Sequence, residues 1–394
     1  MATSSLPETN SCATPKSMPD LPIQRVIISG GGTGGHIHPA LAIADEIKRR
    51  YPACDILFVG AKGRMEMEKV PAAGYPIEGL WITGVDRNWR SLRNWIFPLK
   101  LVSSLWKARQ IIRRFRPELV VGVGGFASGP LLFQASKAGI LTAIQEQNSF
   151  PGITNRLLAK RVQLICAGFP GLERWFPAHR IIETGNPLRH QVVESVKTGN
   201  REAAAAHFGF SGDRPIVFVM GGSLGAASMN AAVRSILDSV GDDDTLEYDV
   251  LWQSGARYHE HMLQYVNGLP TSLQSQVRCV GFIDRMDLAY QCADLIASRA
   301  GAMSIAELAL VGKPTILVPS PVVAEDHQTK NARSLSDRGG AILLPDVEVI
   351  AQLGTTIHSL LADESRCQSL AKAITEAARP QAAQDVVNAI EALR

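Results

Sequence analysis

Apolar residues along this chain gather in short continuous runs and do not alternate with polar ones. RVIIS, DILFVG, LVVGVG, LTAIQE and LICAG lie in the first half, and PIVFVMGG, YDVLWQSG, VRCVGF, DLIASRAG and PTILVPS in the second. Each run is rich in β-branched residues and is separated from the next by a helical stretch. Strands that are apolar on both faces are buried on both, which predicts parallel sheets covered by helices. Two such series predict an α/β chain with two Rossmann-like, doubly wound domains. The break is set near ETGNPLRHQVV (183–193), where a Gly-Asn-Pro turn closes the first series. The division is then a disordered polar tail over 1–21, a first domain over 22–186 and a second over 187–379. The closing segment, 380–394, reads as a helix expected to pack back on the first domain.

Composition narrows the class. The 394 residues suffice for two ordinary domains, and 46% apolar with 20% charged is a globular balance. A net charge of +3 is too mild to mark a nucleic-acid binder. The six cysteines, at 12, 54, 166, 279, 292 and 367, form no Cys-x-x-Cys pair, which fits a reducing compartment. No apolar run reaches the roughly 18 residues of a membrane span. The first 21 residues lack the apolar centre of a signal peptide.

Open α/β sheets bind ligands beyond the carboxyl ends of their strands, and four small-residue turns fall there. Gly30 to Gly35 is five glycines and one threonine, closed by His36. GVGGFASGP (122–130), MGGSLGA (220–226) and SRAGAMSIAE (298–307) repeat the device. Glycines let backbone amides approach an anion, and a helix N-terminus adds its positive dipole end. Gly30, Gly32 and Gly35 formally satisfy G-x-G-x-x-G. The dinucleotide reading also needs an acid at the end of the second strand, whereas Asp55 begins it. Four such turns split between two domains point to a cleft for two phosphorylated ligands.

With these segments assembled, the chain resembles the MurG family of peptidoglycan glycosyltransferases. The resemblance is carried by GGGTGGHIHPALAIA, GVGGFASGP, IQEQNSFPGITNRLLAKR, TGNPLR, GGSLGA and SRAGAMSIAELALVGKPTILVPSPVVAEDHQTKNA, over about 25–340. It implies a GT-B fold, two Rossmann-like domains facing across a cleft. It implies an inverting transfer of N-acetylglucosamine from UDP-N-acetylglucosamine to the C4 hydroxyl of the muramoyl sugar of lipid I. One direct displacement requires a base for the hydroxyl proton and stabilisation of the departing UDP.

The resemblance also implies roles for residues. His36 is the candidate base, its pKa expected to be lowered by the helix N-terminus; the alternative is that it only orders the loop. Thr33, Gly34 and Gly35 approach donor and acceptor, and Gly124, Gly125, Ser128 and Gly129 are candidates for the acceptor diphosphate. Asn148 and Gln328 contact the donor sugar, and Arg189 and Ser223 lie near the donor diphosphate. Ile283 meets uracil through its backbone. Ala302, Met303, Ser304, Ile305, Ala306 and Glu307 begin a helix aimed at the nucleotide, with Glu307 taking the ribose hydroxyls. Plainer roles stand beside these: Glu307 as an exposed helix residue, Arg189 as an inter-domain salt bridge, Asn148 as the cap of the helix after Pro151, and Ser223 and Gln328 as loop polars.

No cofactor and no obligatory metal is expected. Asp242-Asp243-Asp244 mimics an Asp-x-Asp metal motif but lies outside every glycine loop, where a solvated acidic loop is the simpler reading. Residues 87–116 carry nine Lys/Arg, no Asp/Glu, and Trp89, Trp95, Phe97 and Trp106. That mixture predicts peripheral contact with an anionic membrane, at the cytoplasmic face of the inner membrane. The plainer alternative is a core helix with a basic outer face. Nucleic acid is not expected as a partner, and cell-wall synthesis and division proteins are admitted as partners. Three other functions compete: another GT-B enzyme such as a glycolipid glycosyltransferase or UDP-sugar epimerase, a binding protein that keeps the fold, and a dinucleotide oxidoreductase.

Overall fold

The computed structural model describes residues 22–84, 92–222, 224–241, 244–323 and 326–394. The expected tail 1–21, Trp89, Ser223, Asp242, Asp243 and Glu325 lie outside the described residues. The first sheet holds β1 (Arg25–Gly30), β2 (Asp55–Ala61), β3 (Ile77–Leu80), β4 (Leu119–Gly124), β5 (Leu141–Glu146), β6 (Leu164–Ala167) and β7 (Ile181–Glu183). The second holds β8 (Ile216–Met220), β9 (Asp249–Gln253), β10 (Val277–Val280), β11 (Leu295–Ser298), β12 (Thr315–Leu317) and β13 (Ile342–Leu343). The orders are β3-β2-β1-β4-β5-β6-β7 and β10-β9-β8-β11-β12-β13. Every recorded pairing is parallel.

Continuous apolar strands explain this architecture. Val26 and Ile28 of β1 enter the core on one face, and Ile27 enters the core on the other. Ile216 and Phe218 of β8 likewise face one core, and Val217 and Val219 the opposite one. Each sheet is thus a middle layer between two helical layers. The strand order reverses between β1 and β4, and again between β8 and β11. The loops leaving those four strands are therefore the switch points where α/β sheets take ligands.

The last helix, Ala382–Glu391, packs on the first domain. Val386, Val387 and Ile390 are fully buried in that domain's core. Arg50 Nη1 donates to Glu391 Oε2 at 2.8 Å, and Tyr51 OH donates to Glu391 Oε1 at 2.8 Å. The chain thus passes between the domains twice. The linker Gly185–Leu188 and the segment Ala377–Arg379 border one hinge cavity of about 200 Å³.

Candidate active site

The loop Gly31–Thr33 leads from β1 into the helix Gly34–Arg50. The first intrahelical bond runs from His36 N–H to the Thr33 carbonyl at 3.1 Å, so the amides of Gly34 and Gly35 precede the helical ladder. Thr33 occupies the cap position in an extended conformation without a side-chain cap bond. Glu66, buried on the helix Glu66–Ala72, fixes the loop from below. It accepts from Gly32 N–H at 2.8 Å and from Ala61 N–H at 2.9 Å. A Cβ on Gly31 would lie 2.2 Å from Glu66 Oε1, so that glycine makes room for the anchor.

His36 sits where the β1 and β4 loops meet. Its Nδ1 lies 3.0 Å from the Gly31 carbonyl, which can only accept, so Nδ1 carries the proton and Nε2 the lone pair. Burial lowers the imidazole's pKa from the usual 6.5. The Glu146 carboxylate, the Gly31 carbonyl and Glu66 oppose that shift, and His327 adds to it. The expected direction holds, with desolvation as the leading cause. Gly124 has φ +108°, and a Cβ there would lie 2.5 Å from His36 Cδ2. Gly125 has φ +89°, and a Cβ there would lie 2.5 Å from the Gly31 carbonyl oxygen. These two glycines therefore let one loop lie on the other.

Ser128 requires a correction. Its side chain is fully buried, and its hydroxyl donates to the Ser29 carbonyl at 2.9 Å or the Gly124 carbonyl at 2.8 Å. It ties β1 to the β4 loop, and its hydroxyl does not reach the cleft as a diphosphate contact would. Gly129, next in the same helix, is partly exposed.

The EQN segment is built around Glu146, which is buried. Glu146 accepts from Asn148 N–H at 3.0 Å, Gly152 N–H at 3.1 Å and Asn155 Nδ2 at 2.8 Å. The helix after Pro151 begins at Ile153 with Gly152 as its cap, so Asn148 does not cap it. Gln147 Nε2 donates to the Val123 carbonyl at 2.7 Å, joining this loop to β4. Ser149 Oγ donates to Asn331 Oδ1 at 2.8 Å, across from the second domain.

On the opposite wall the helix Ala302–Val311 starts beyond β11, with Gly301 at its cap. Its first intrahelical bond is from Ile305 N–H to the Gly301 carbonyl at 2.9 Å, leaving the amides of Ala302, Met303 and Ser304 at the open end. Ile305 and Ala306 line the hinge cavity behind. Glu307 is only 4% exposed, so it is no surface helix residue. Arg189 grips it in a fork, Nε to Oε1 at 2.7 Å and Nη2 to Oε2 at 2.6 Å, while Tyr290 OH donates to Oε2 at 2.9 Å. Arg189 immediately precedes the helix His190–Thr198, which packs within the second domain, so the ion pair does not join the domains. Ile283 is buried in the core beside Met286 and Tyr290. The Lys69 ammonium of the first domain stands 5.1 Å from the ring of the adjacent Phe282. Gln328 Oε1 accepts from Ser320 N–H at 2.9 Å. Ser223 lies outside the described residues, but Gly225 of its loop has φ +76° and packs against the backbone of Ser254 and Gly255. Among the described residues no three His, Cys, Asp or Glu form a metal cluster.

Sequence reasoning missed Glu66, Glu146, Tyr290 and Asn331. Glu146 had a signal, since it is the one charged residue of its buried strand. The others had none.

Two family models match the chain: the glycosyltransferase family 28 N-terminal domain over residues 26–166 and the C-terminal domain over 216–386. A relative from Christiangramia forsetii is 49% identical over 369 residues, covering 94% of this chain and 97% of its own. That protein is named UDP-N-acetylglucosamine–N-acetylmuramyl-(pentapeptide) pyrophosphoryl-undecaprenol N-acetylglucosamine transferase. The crystal structure of Acinetobacter baumannii MurG superposes with a TM-score of 0.71 at 27% identity, covering 94% of this chain and 99% of that one. A UDP-GlcNAc 2-epimerase from Neisseria meningitidis superposes at 0.65 with 13% identity, covering 93% and 99%, and shares the fold alone.

Proposed function

The chain belongs to glycosyltransferase family 28, in its MurG branch with the GT-B fold, and from that membership we propose that it transfers N-acetylglucosamine from UDP-N-acetylglucosamine to lipid I, forming lipid II. The observation that carries the chemistry is His36, with its proton fixed on Nδ1 and its lone pair on Nε2, where two glycine loops meet in the cleft.

The acceptor's C4 hydroxyl gives its proton to His36 Nε2 as its oxygen attacks the anomeric carbon. The bond to the UDP oxygen breaks on the opposite face, and the α donor becomes a β product. Burial keeps His36 neutral near pH 7 and ready to accept. The open amides at Ala302, Met303 and Ser304 and the Arg189 guanidinium favour the charge that develops on the diphosphate. Glu307 takes the ribose hydroxyls, the backbone at Ile283 meets uracil, and Asn148, Gln328 and Ser223 complete the donor contacts. Gly34 and Gly35 offer amides to donor and acceptor, with Thr33 at the same turn. Gly124, Gly125 and Gly129 shape the path of the acceptor diphosphate.

The helix Leu92–Phe115 supports a peripheral seat on the membrane. Ala108, Ile111 and Ile112 face the core, while Trp95 (78% exposed), Leu99, Val102 and Trp106 form an outward stripe. Lys107 and Arg114 both pair with Glu78, which leaves less free positive charge than the sequence alone suggests. Among the described residues no helix is long and apolar enough to cross a membrane. The stripe and the remaining cations suit the anionic cytoplasmic face of the inner membrane, where lipid I would be met.

Proton NMR of UDP-N-acetylglucosamine with the enzyme tests this reading. A β-linked disaccharide and free UDP are expected only when a short-chain lipid I analogue is added. An epimerised sugar nucleotide formed without acceptor would overturn it.

A further inference from the structure

The donor carboxylate is already occupied. Glu307 has two oxygens, and the Arg189 fork takes one with each nitrogen while Tyr290 shares Oε2. A ribose diol also needs two acceptor oxygens side by side, so it competes with Arg189 for the same edge of the carboxylate. We infer that Arg189 closes the ribose site of the empty enzyme, and that a phosphorylated nucleotide opens it by drawing the guanidinium from Glu307 onto its phosphates.

This rests on the donor-site reading above and adds an order to it. Removing one partner of a buried, hydrogen-bonded ion pair is costly unless another charge replaces it. A nucleoside offers none, whereas a diphosphate does. Arg189 has the freedom to change partners, since its side chain is 23% exposed while that of Glu307 is 5% exposed. Tyr290 need not move. Burial and the adjacent Glu307 raise its phenol well above the ordinary value, so it remains a donor that holds the carboxylate in place. Arg189 thus acts as a specificity-determining residue. It makes the full ribose contact conditional on phosphate, so a uridine without phosphate binds weakly even though base and ribose would fit.

Calorimetric titration of the full chain reads this directly. Uridine is expected to bind at least about 5-fold more tightly when inorganic pyrophosphate is present, because the anion draws Arg189 away first. Arg189→Ala is expected to bind uridine about 10-fold more tightly than the wild type and UDP about 10-fold more weakly. Unchanged or weaker uridine binding with pyrophosphate, in a wild type that binds UDP, would overturn the inference and leave the donor site standing. That arm needs no variant to fold. A wild type that does not bind UDP at all would overturn the donor-site reading and the inference with it.

Discussion

Replacing Gly124 by alanine should disable transfer while sparing the donor site. The backbone there has φ +108°, a region that L side chains avoid, at a cost of about 1–3 kcal/mol. The new Cβ would stand 2.5 Å from His36 Cδ2 and 2.8 Å from Nε2, so the imidazole must leave its place. Moving it breaks the bond from Nδ1 to the Gly31 carbonyl, worth about another 0.5–1.5 kcal/mol. The total loss, about 1.5–4.5 kcal/mol, is within what a domain of this size tolerates. Loss of a positioned base should lower kcat by about 10²–10⁴-fold. UDP affinity should hold, because Glu307 and the open helix end belong to the other domain. Gly63→Ala is the control: φ is +70°, but a Cβ there meets nothing within 4 Å, so strain appears without a clash. The assay is sugar transfer at saturating donor, with urea denaturation and UDP titration beside it. A folded Gly124→Ala enzyme that transfers within about 3-fold of the wild type would refute the placement of His36 as base.

Other outcomes follow from the same geometry. Burial first, and then Arg189, lower the His38 pKa to about 4, against 6.5 in the unfolded chain. Between those values the unfolded state holds the extra proton, so stability falls as the pH drops from about 6.5 to about 4 and levels off below. Urea unfolding of wild type and His38→Asn should show about 2–3 kcal/mol more loss in the wild type between pH 7 and pH 4.5, and equal losses would refute the burial argument. The wild type should sediment with liposomes of anionic lipid and be released by salt. Trp95→Glu with Trp106→Glu should sediment several-fold less, and unchanged sedimentation would remove the stripe from the membrane contact.

Much of the fold was readable because buried parallel strands announce themselves as continuous apolar runs. The strands that escaped are β3, β7 and β13, each short and partly exposed. Ile77–Leu80 carries Glu78, which serves two cations of the neighbouring helix, and Ile181–Glu183 ends on an exposed acid. The glycine loops were legible by composition, and their meeting point was not. That Gly125 lies on Gly31 follows only from β1 and β4 being neighbours across the switch point. Ser128 looked like a ligand because it sits in a small-residue turn, yet the same adjacency turns its hydroxyl onto Ser29. Glu66 escaped because it acts on an amide 34 residues away, with no periodicity to mark it. The pairing of Arg189 with Glu307 spans 118 positions, and the two residues read separately as two contacts to one nucleotide.

The most direct measurement is the transfer of radiolabelled sugar from UDP-N-acetylglucosamine to a short-chain lipid I analogue, by the wild type, His36→Ala and Glu307→Ala. Labelled disaccharide-lipid is expected from the wild type, with kcat lost in His36→Ala at unchanged UDP affinity and donor binding lost in Glu307→Ala. A folded, UDP-binding wild type that labels no acceptor would contradict the proposed transfer.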